Sequence, residues 1–260
     1  MMILGGLAAW NMPLVLILAC ISAMYCFMAK KRSEVWPKKF GLFHAGIGLF
    51  YLLMGSPLYV LSHLSFSTHM LQMSILYFFV PPLLLFGIPA WNGDKWKKRN
   101  ISSFSALILF SILFFLYHLP QVVPFVYKSP VIHTGFILLL FGLSCLMWLP
   151  VITPGPGPNR FSWWSGILLM PACLLLILNG LMDGQNASPL FSQLMLKLCI
   201  PADQAGALLP FQINAKADQI FGGILMLALH KFSLLAAIRL GSQRISREHL
   251  KLKPSLHRME

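Results

Sequence analysis

His69 and Met73 stand four residues apart in His69-Met-Leu-Gln-Met73, a spacing that puts both on one face of a helix, one above the other. Imidazole suits copper, zinc or iron, and thioether sulfur selects Cu(I) over harder metals, so the pair points first to a Cu(I) site. Four more residues could join it: His118, His133, Asp218 and Met226. Asp218, Gly222 and Met226 repeat every four residues along one helix face, and the glycines allow another helix to come close. His230, about 18 Å from Asp218 along the same helix, is too far away to share the site.

The elements that must position these residues are membrane spans. The 260 residues are 57% hydrophobic and only 10% charged, where a soluble domain carries about 25% charged residues. Mean hydropathy is +0.73. This composition implies an all-α fold, a polytopic transmembrane helical bundle. The net charge of +13 invites a nucleic-acid reading. However, the basic residues sit in short clusters between apolar stretches, where they act as topology signals, so no nucleic-acid partner is expected. Five cysteines form neither a CxxC pair nor a zinc-finger spacing, and no disulfide framework is readable.

Seven apolar stretches cover about 11–29, 40–60, 69–90, 101–119, 131–152, 162–182 and 218–239. The third has no formal charge over about 21 residues, the length a helix needs to cross a bilayer. Pro81 and Pro82 remove two amide donors from its middle, so the helix should kink and its neighbours must satisfy the freed carbonyls. Such an element belongs at the centre of the bundle. Residues 1–240 read as one transmembrane domain and 241–260 as a basic cytoplasmic tail.

An odd number of spans puts the termini on opposite sides. Lys30, Lys31, Arg32, Lys38 and Lys39 follow the first span, Lys95, Lys97, Lys98 and Arg99 the third, and Arg160 the fifth; Arg244, Arg247, Lys251, Lys253 and Arg258 lie in the tail. The opposite loops carry only Lys128, Lys197 and Lys216. The positive-inside rule therefore places the N-terminus outside and the tail in the cytoplasm. In this topology His63, His69, His118, His133 and Asp218 all converge on the outer leaflet, and ionisable groups at membrane depth usually face the bundle interior and mark a site. Within the long outer segment from about 183 to 217, residues 189–200 are apolar enough to lie on the interface as a short helix.

Each of these residues also has a plainer explanation. A histidine at a span end can be an interfacial residue with a wet ring, methionine is common in apolar cores, and Asp218 at the start of a helix can simply cap it. His44 falls on the inner side and reads as structural.

Together the motifs resemble the CtaG family of cytochrome c oxidase assembly factors found with caa-type oxidases. The resemblance rests on His69-Met-Leu-Gln-Met73 running into Val-Pro-Pro-Leu-Leu-Leu-Phe-Gly-Ile-Pro (80–89), on Tyr117-His-Leu-Pro120, on His133 followed by Met147-Trp-Leu-Pro150, and on Ala217-Asp-Gln-Ile-Phe-Gly-Gly-Ile-Leu-Met226. Where many members have His-Met-x-x-His, position 73 here is Met. The resemblance implies a non-enzymatic, multi-pass plasma-membrane factor that delivers copper to the catalytic subunit of the oxidase, in contact with the lipid bilayer. A haem-handling protein with His69, His118 and His133 as axial ligands, a permease and a metal-free scaffold are the alternatives.

The topology is tested by reporter fusions. A fusion at residue 200 should read as outside and one beyond residue 240 as cytoplasmic; a cytoplasmic readout at residue 200 refutes the assignment.

Overall fold

A computed structural model describes residues 10–30, 36–62, 65–88, 100–119, 121–152, 158–182 and 214–256, and among them all regular structure is helical. The helices are α1 (Met12–Lys30), α2 (Trp36–Gly55), α3 (Leu58–Leu61), α4 (Phe66–Phe78), α5 (Val80–Gly87), α6 (Asn100–Tyr117), α7 (Val122–Tyr127), α8 (Pro130–Ile152), α9 (Pro158–Met182) and α10 (Ala215–Leu256). His63, Cys199, His257 and the segment 183–213, with its expected interfacial helix, lie outside the described residues.

Five helical stretches are long and apolar enough to cross a bilayer: Met12–Ala29, Phe66–Gly87, Val131–Val151, Phe161–Met182 and Lys216–Leu240. Two shorter apolar helices, Lys39–Gly55 and Ser103–Tyr117, coincide with the second and fourth stretches of the sequence. The second stretch is shorter than expected because α2 stops at Gly55. Ser56 Oγ bonds back to Leu52 O and accepts the Leu58 N–H, and Pro57, which has no N–H of its own, follows. α10 runs unbroken past residue 240 to Leu256, so the compositional boundary of the tail is not a break in the helix.

The stretch Phe66–Gly87 is the most enclosed, with 67% of its residues buried against 17% for α1 and at most 39% for the other three. It is the central element. α4 packs on α10, while α5 packs on α2 and α8. The helix resets at Phe79, two residues before the expected kink, so that Pro81 and Pro82 occupy the first turn of α5. Proline is favoured in a first turn because its fixed φ suits the helix. Phe79 N–H still reaches Ile75 O and Leu83 N–H reaches Phe79 O, so the hydrogen-bond ladder continues across the junction of α4 and α5.

An ordinary residue at position 81 would donate its N–H to the carbonyl of Tyr77, four residues back. Proline cannot. That carbonyl instead accepts from the hydroxyl of Ser144 and, at 3.0 Å, from the indole N–H of Trp148. Ser144 and Trp148 are one turn apart on α8, and both are buried. Neighbouring aromatic rings fix the same region: Tyr77 meets Phe110 and Phe114 of α6 edge-on, at centroid separations of 5.6 and 5.9 Å.

α10 closes the bundle through its paired glycines. A Cβ at Gly222 would lie 3.0 Å from Phe66 Cδ1 and 3.1 Å from Met70 Cγ, both on α4. One at Gly223 would lie 2.8 Å from Ile177 Cγ1 and 3.1 Å from Cys173 O, both on α9. The close approach expected from the sequence is therefore made, on two neighbours at once.

Leaving a buried carbonyl unsatisfied costs about 1–3 kcal/mol, and one donor is enough to prevent it. Ser144→Ala and Trp148→Val should therefore cost more together than the sum of the single changes. Thermal unfolding of the purified protein in detergent measures this, and strict additivity would show that the Tyr77 carbonyl is not the shared partner.

Candidate metal centre

The first turn of α4 carries three amides, those of Phe66, Ser67 and Thr68, with no acceptor inside the helix. Ser65 is the N-cap, its hydroxyl accepting the Thr68 N–H at 3.2 Å, and its carbonyl takes the His69 N–H. The two remaining donors reach another helix. Asp218 Oδ2 accepts the Phe66 N–H at 2.6 Å, and Oδ1 accepts the Ser67 N–H at 3.1 Å together with the Ser67 hydroxyl. Asp218 thus caps α4 rather than its own helix, whose Ala217 N–H is capped by Asn214 Oδ1. A carboxylate at a helix N-terminus is also favoured by the helix dipole. With both oxygens engaged, Asp218 fixes where α4 begins, one turn before His69.

His69 is fully buried, and its Nε2 lies 3.4 Å from the hydroxyl of Tyr117. The same hydroxyl lies 3.4 Å from Nε2 of His133, which stands at the start of α8. Nδ1 of His133 is in turn 3.4 Å from the hydroxyl of Tyr59 on α3. Two imidazoles from two helices therefore meet at one phenol oxygen on a third. Because a phenol has a single proton to donate, Tyr117 donates to one ring and accepts from the other. Tyr117 is 3% exposed and His133 2%, so the group is shielded from water.

Met73 lies one turn deeper than His69 on the same face of α4 and is 1% exposed. Gln72, three residues on from His69, lies on the adjoining flank of the helix. Its Nε2 donates to Leu53 O at 2.6 Å and its Oε1 accepts from Ser62, which ties α4 to the end of α2. Met226 is equally buried and belongs to the same apolar cluster as Met70 and Met73.

His118 follows Tyr117 at the end of α6 and is also buried. Its Nδ1 donates to Phe114 O at 2.6 Å, so in the neutral ring Nε2 carries the lone pair. That atom has no hydrogen-bond partner among the described residues. A backbone bond at Nδ1 of this kind fixes the tautomer in many metal-binding histidines.

Of the six residues singled out in the sequence, His69 and His133 come together across Tyr117. His118 is the next residue after Tyr117, its ring centroid 5.5 Å from that of Tyr117 and turned back over Phe114. Met73 lies one turn along α4 from His69, Asp218 is occupied in holding α10 against α4, and Met226 is buried in the apolar cluster. Among the described residues, no three His, Cys, Asp or Glu side chains already form a cluster that could hold a metal. Sequence reasoning missed Tyr117 and Tyr59. Tyrosine near a span end ordinarily signals the membrane interface, and only the histidine next to Tyr117 hinted at more.

Fold and site together define a multi-pass helical membrane protein with a buried histidine–tyrosine cluster at the end of its central helix. The model of the cytochrome c oxidase caa3 assembly factor family (Caa3_CtaG) matches residues 22–247, and the chain belongs to that family. No curated protein and no solved structure matches it.

Replacing Asp218 by Ala leaves the Phe66 and Ser67 amides without a protein acceptor and should cost about 1–2 kcal/mol, as loss of a helix cap does. Asp218→Asn, which keeps one acceptor oxygen, should cost less. Unfolding midpoints in detergent report the order; wild-type midpoints in both variants would show that the bond between α4 and α10 contributes nothing.

Proposed function

We propose that this oxidase assembly factor binds one Cu(I) per chain at the outer end of the bundle and passes it to the catalytic subunit of a haem–copper cytochrome c oxidase in the plasma membrane. In this reading all seven apolar helices cross the bilayer, with the N-terminus outside and the tail in the cytoplasm, as the Lys/Arg distribution favours. Copper is the cargo, and the protein catalyses no reaction.

One observation carries the reading: Nε2 of His69 and Nε2 of His133 each lie 3.4 Å from Tyr117 Oη, buried, with Met73 one turn deeper on the face of His69. Contacts of 3.4 Å are long for hydrogen bonds, so little is lost when the rings turn from the phenol to an ion. Two imidazoles with a thioether make a soft, neutral donor set suited to Cu(I). His118 supplies a further neutral nitrogen at the same end, and a client's ligand displaces the donors one at a time. Asp218 holds the frame.

Haem is less well supported, because the Tyr117 hydroxyl lies between the two imidazoles where a macrocycle would have to pass. A scaffold that binds no metal is the remaining reading.

Copper analysis of the purified protein tests the proposal. Wild type should hold one equivalent at the outer site, and His69→Ala and His133→Ala should each weaken binding at least tenfold. Met73→His should retain it. Imidazole binds metal only when neutral, so acidification should weaken binding. In cells, His69→Ala should yield an oxidase with haem but a defective copper centre. A His69→Ala protein that binds copper normally and still matures the oxidase would leave the scaffold reading.

A further inference from the structure

At the other end of α2 a second pair of soft ligands meets, with no residue in common with the outer cluster. His44 of α2 and Cys26 of α1 face each other with Sγ 4.0 Å from Nε2. Leu53, which accepts from Gln72 near the outer site, lies nine residues further along α2 from His44. That is about 14 Å of helical rise.

The imidazole is held in one orientation. Its Nδ1 donates to Phe40 O at 2.9 Å, which leaves the lone pair on Nε2, directed at α1. Phe40 packs against the ring at a centroid distance of 3.9 Å, and Tyr25 and Phe43 meet it edge-on at 5.7 and 5.8 Å. Tyr25 is itself fixed, stacked on Phe43 and donating to Gly87 O at 2.8 Å. Nε2 is already satisfied by the hydroxyl of Ser22 at 2.7 Å. Hydrogen bonding of the ring therefore does not require Cys26 at this position.

We propose that Cys26 Sγ and His44 Nε2 form a two-coordinate site for one soft monovalent cation, Cu(I), between α1 and α2. With metal–sulfur and metal–nitrogen bonds of about 2.3 and about 2.0 Å, a linear sulfur–metal–nitrogen bridge spans about 4.3 Å. At the observed separation of 4.0 Å these bonds would enclose an angle of about 137° at the metal, and a linear bridge needs only about 0.3 Å more, within reach of a small side-chain rotation. On binding, the Cys26 thiol gives its proton to solvent, the thiolate and Nε2 each donate an electron pair to the cation, and the Ser22 hydroxyl turns away; nothing is oxidised or reduced. Thiolate and imidazole are soft to borderline donors, and Cu(I) is the first-row ion that thiolate selects. Ser22, Cys26 and His44 are all part-buried, so the ligands are sheltered without being sealed.

Anaerobic titration of the purified full-length protein with Cu(I), in competition with a chromophoric Cu(I) chelator, tests the site. Wild type should bind one more equivalent than Cys26→Ser, a near-isosteric change, and the near-ultraviolet thiolate-to-copper band should disappear in that variant. His44→Gln, which can still bond to Ser22, should weaken this equivalent at least tenfold. X-ray absorption of copper-loaded wild type, which needs no variant at position 44, should assign one sulfur and one nitrogen to the copper that Cys26→Ser loses. Equal stoichiometry and an equal band in wild type and Cys26→Ser would overturn the proposal, as would two sulfurs on that copper. His69→Ala should leave the thiolate band intact, so failure of the outer site and failure of this one can be told apart.

Discussion

Two adjacent prolines in the middle of the central helix leave the carbonyls of Tyr77 and Phe78 without their normal donors, and no water is available in a bilayer core to replace them; for Tyr77 the substitute donors are visible. The structure answers with two donors on one face of α8, Ser144 and Trp148. The consequences reach well beyond one bond. α8 is held at a fixed height and rotation against the junction of α4 and α5, and His133 belongs to the same helix. The depth at which His133 meets His69 is therefore set in part by a hydrogen bond three turns away. Packing of apolar side chains alone could not set it so sharply, since lipid and leucine compete on nearly equal terms in a membrane.

The other end of α4 is governed by the same rule in reverse. There the orphans are amide donors, and Asp218 takes two of them from a helix that arrives much later in the chain. Gly222, one turn further along α10, lets that helix approach closely enough for the carboxylate to reach. Between the Asp218 bond at its start and the Tyr77 bond near its end, α4 has little freedom to slide or rotate. His69 and Met73 lie between these two anchors, and Gln72 ties the helix to α2. A ligand site that must both hold and release an ion benefits from such a frame, because only side chains need to move.

Much of this was legible in the sequence wherever the signal was local. The apolar stretches mark the helices, Pro81-Pro82 marks the helix junction and the need for outside donors, and Gly222-Gly223 marks a close crossing. What was not legible depends on partners far apart in the chain. Asp218 resembles a cap for its own helix or a metal ligand, and nothing near it in sequence indicates that it serves α4 more than 150 residues earlier. Tyr117 has the form of an interfacial aromatic, yet its hydroxyl is where two histidines meet. His44 was read as structural, and its bond to Ser22 agrees with that, but the thiol of Cys26 beside it becomes visible only once α1 lies against α2. The end of α2 at Gly55 was obscured because the apolar composition continues through α3.

Withdrawing Asp218 from the set of candidate ligands changes the chemistry proposed for the outer site. With the carboxylate committed to backbone amides, the donors that remain are imidazole nitrogens and thioether sulfur, all uncharged. The penalty for burying an ion in a low-dielectric interior grows with the square of its charge, and a divalent ion there needs anionic ligands to offset it. A neutral set can hold a monovalent soft ion at a far smaller penalty. It also disfavours zinc and Cu(II), which would gain most from a carboxylate or thiolate. The contrast with the α1–α2 pair follows the same reasoning: there a thiolate cancels the charge of Cu(I), so two ligands suffice at a part-buried position. If both proposed sites are used, the neutral outer one is the weaker holder and the readier donor, as a site that gives its ion to a client must be.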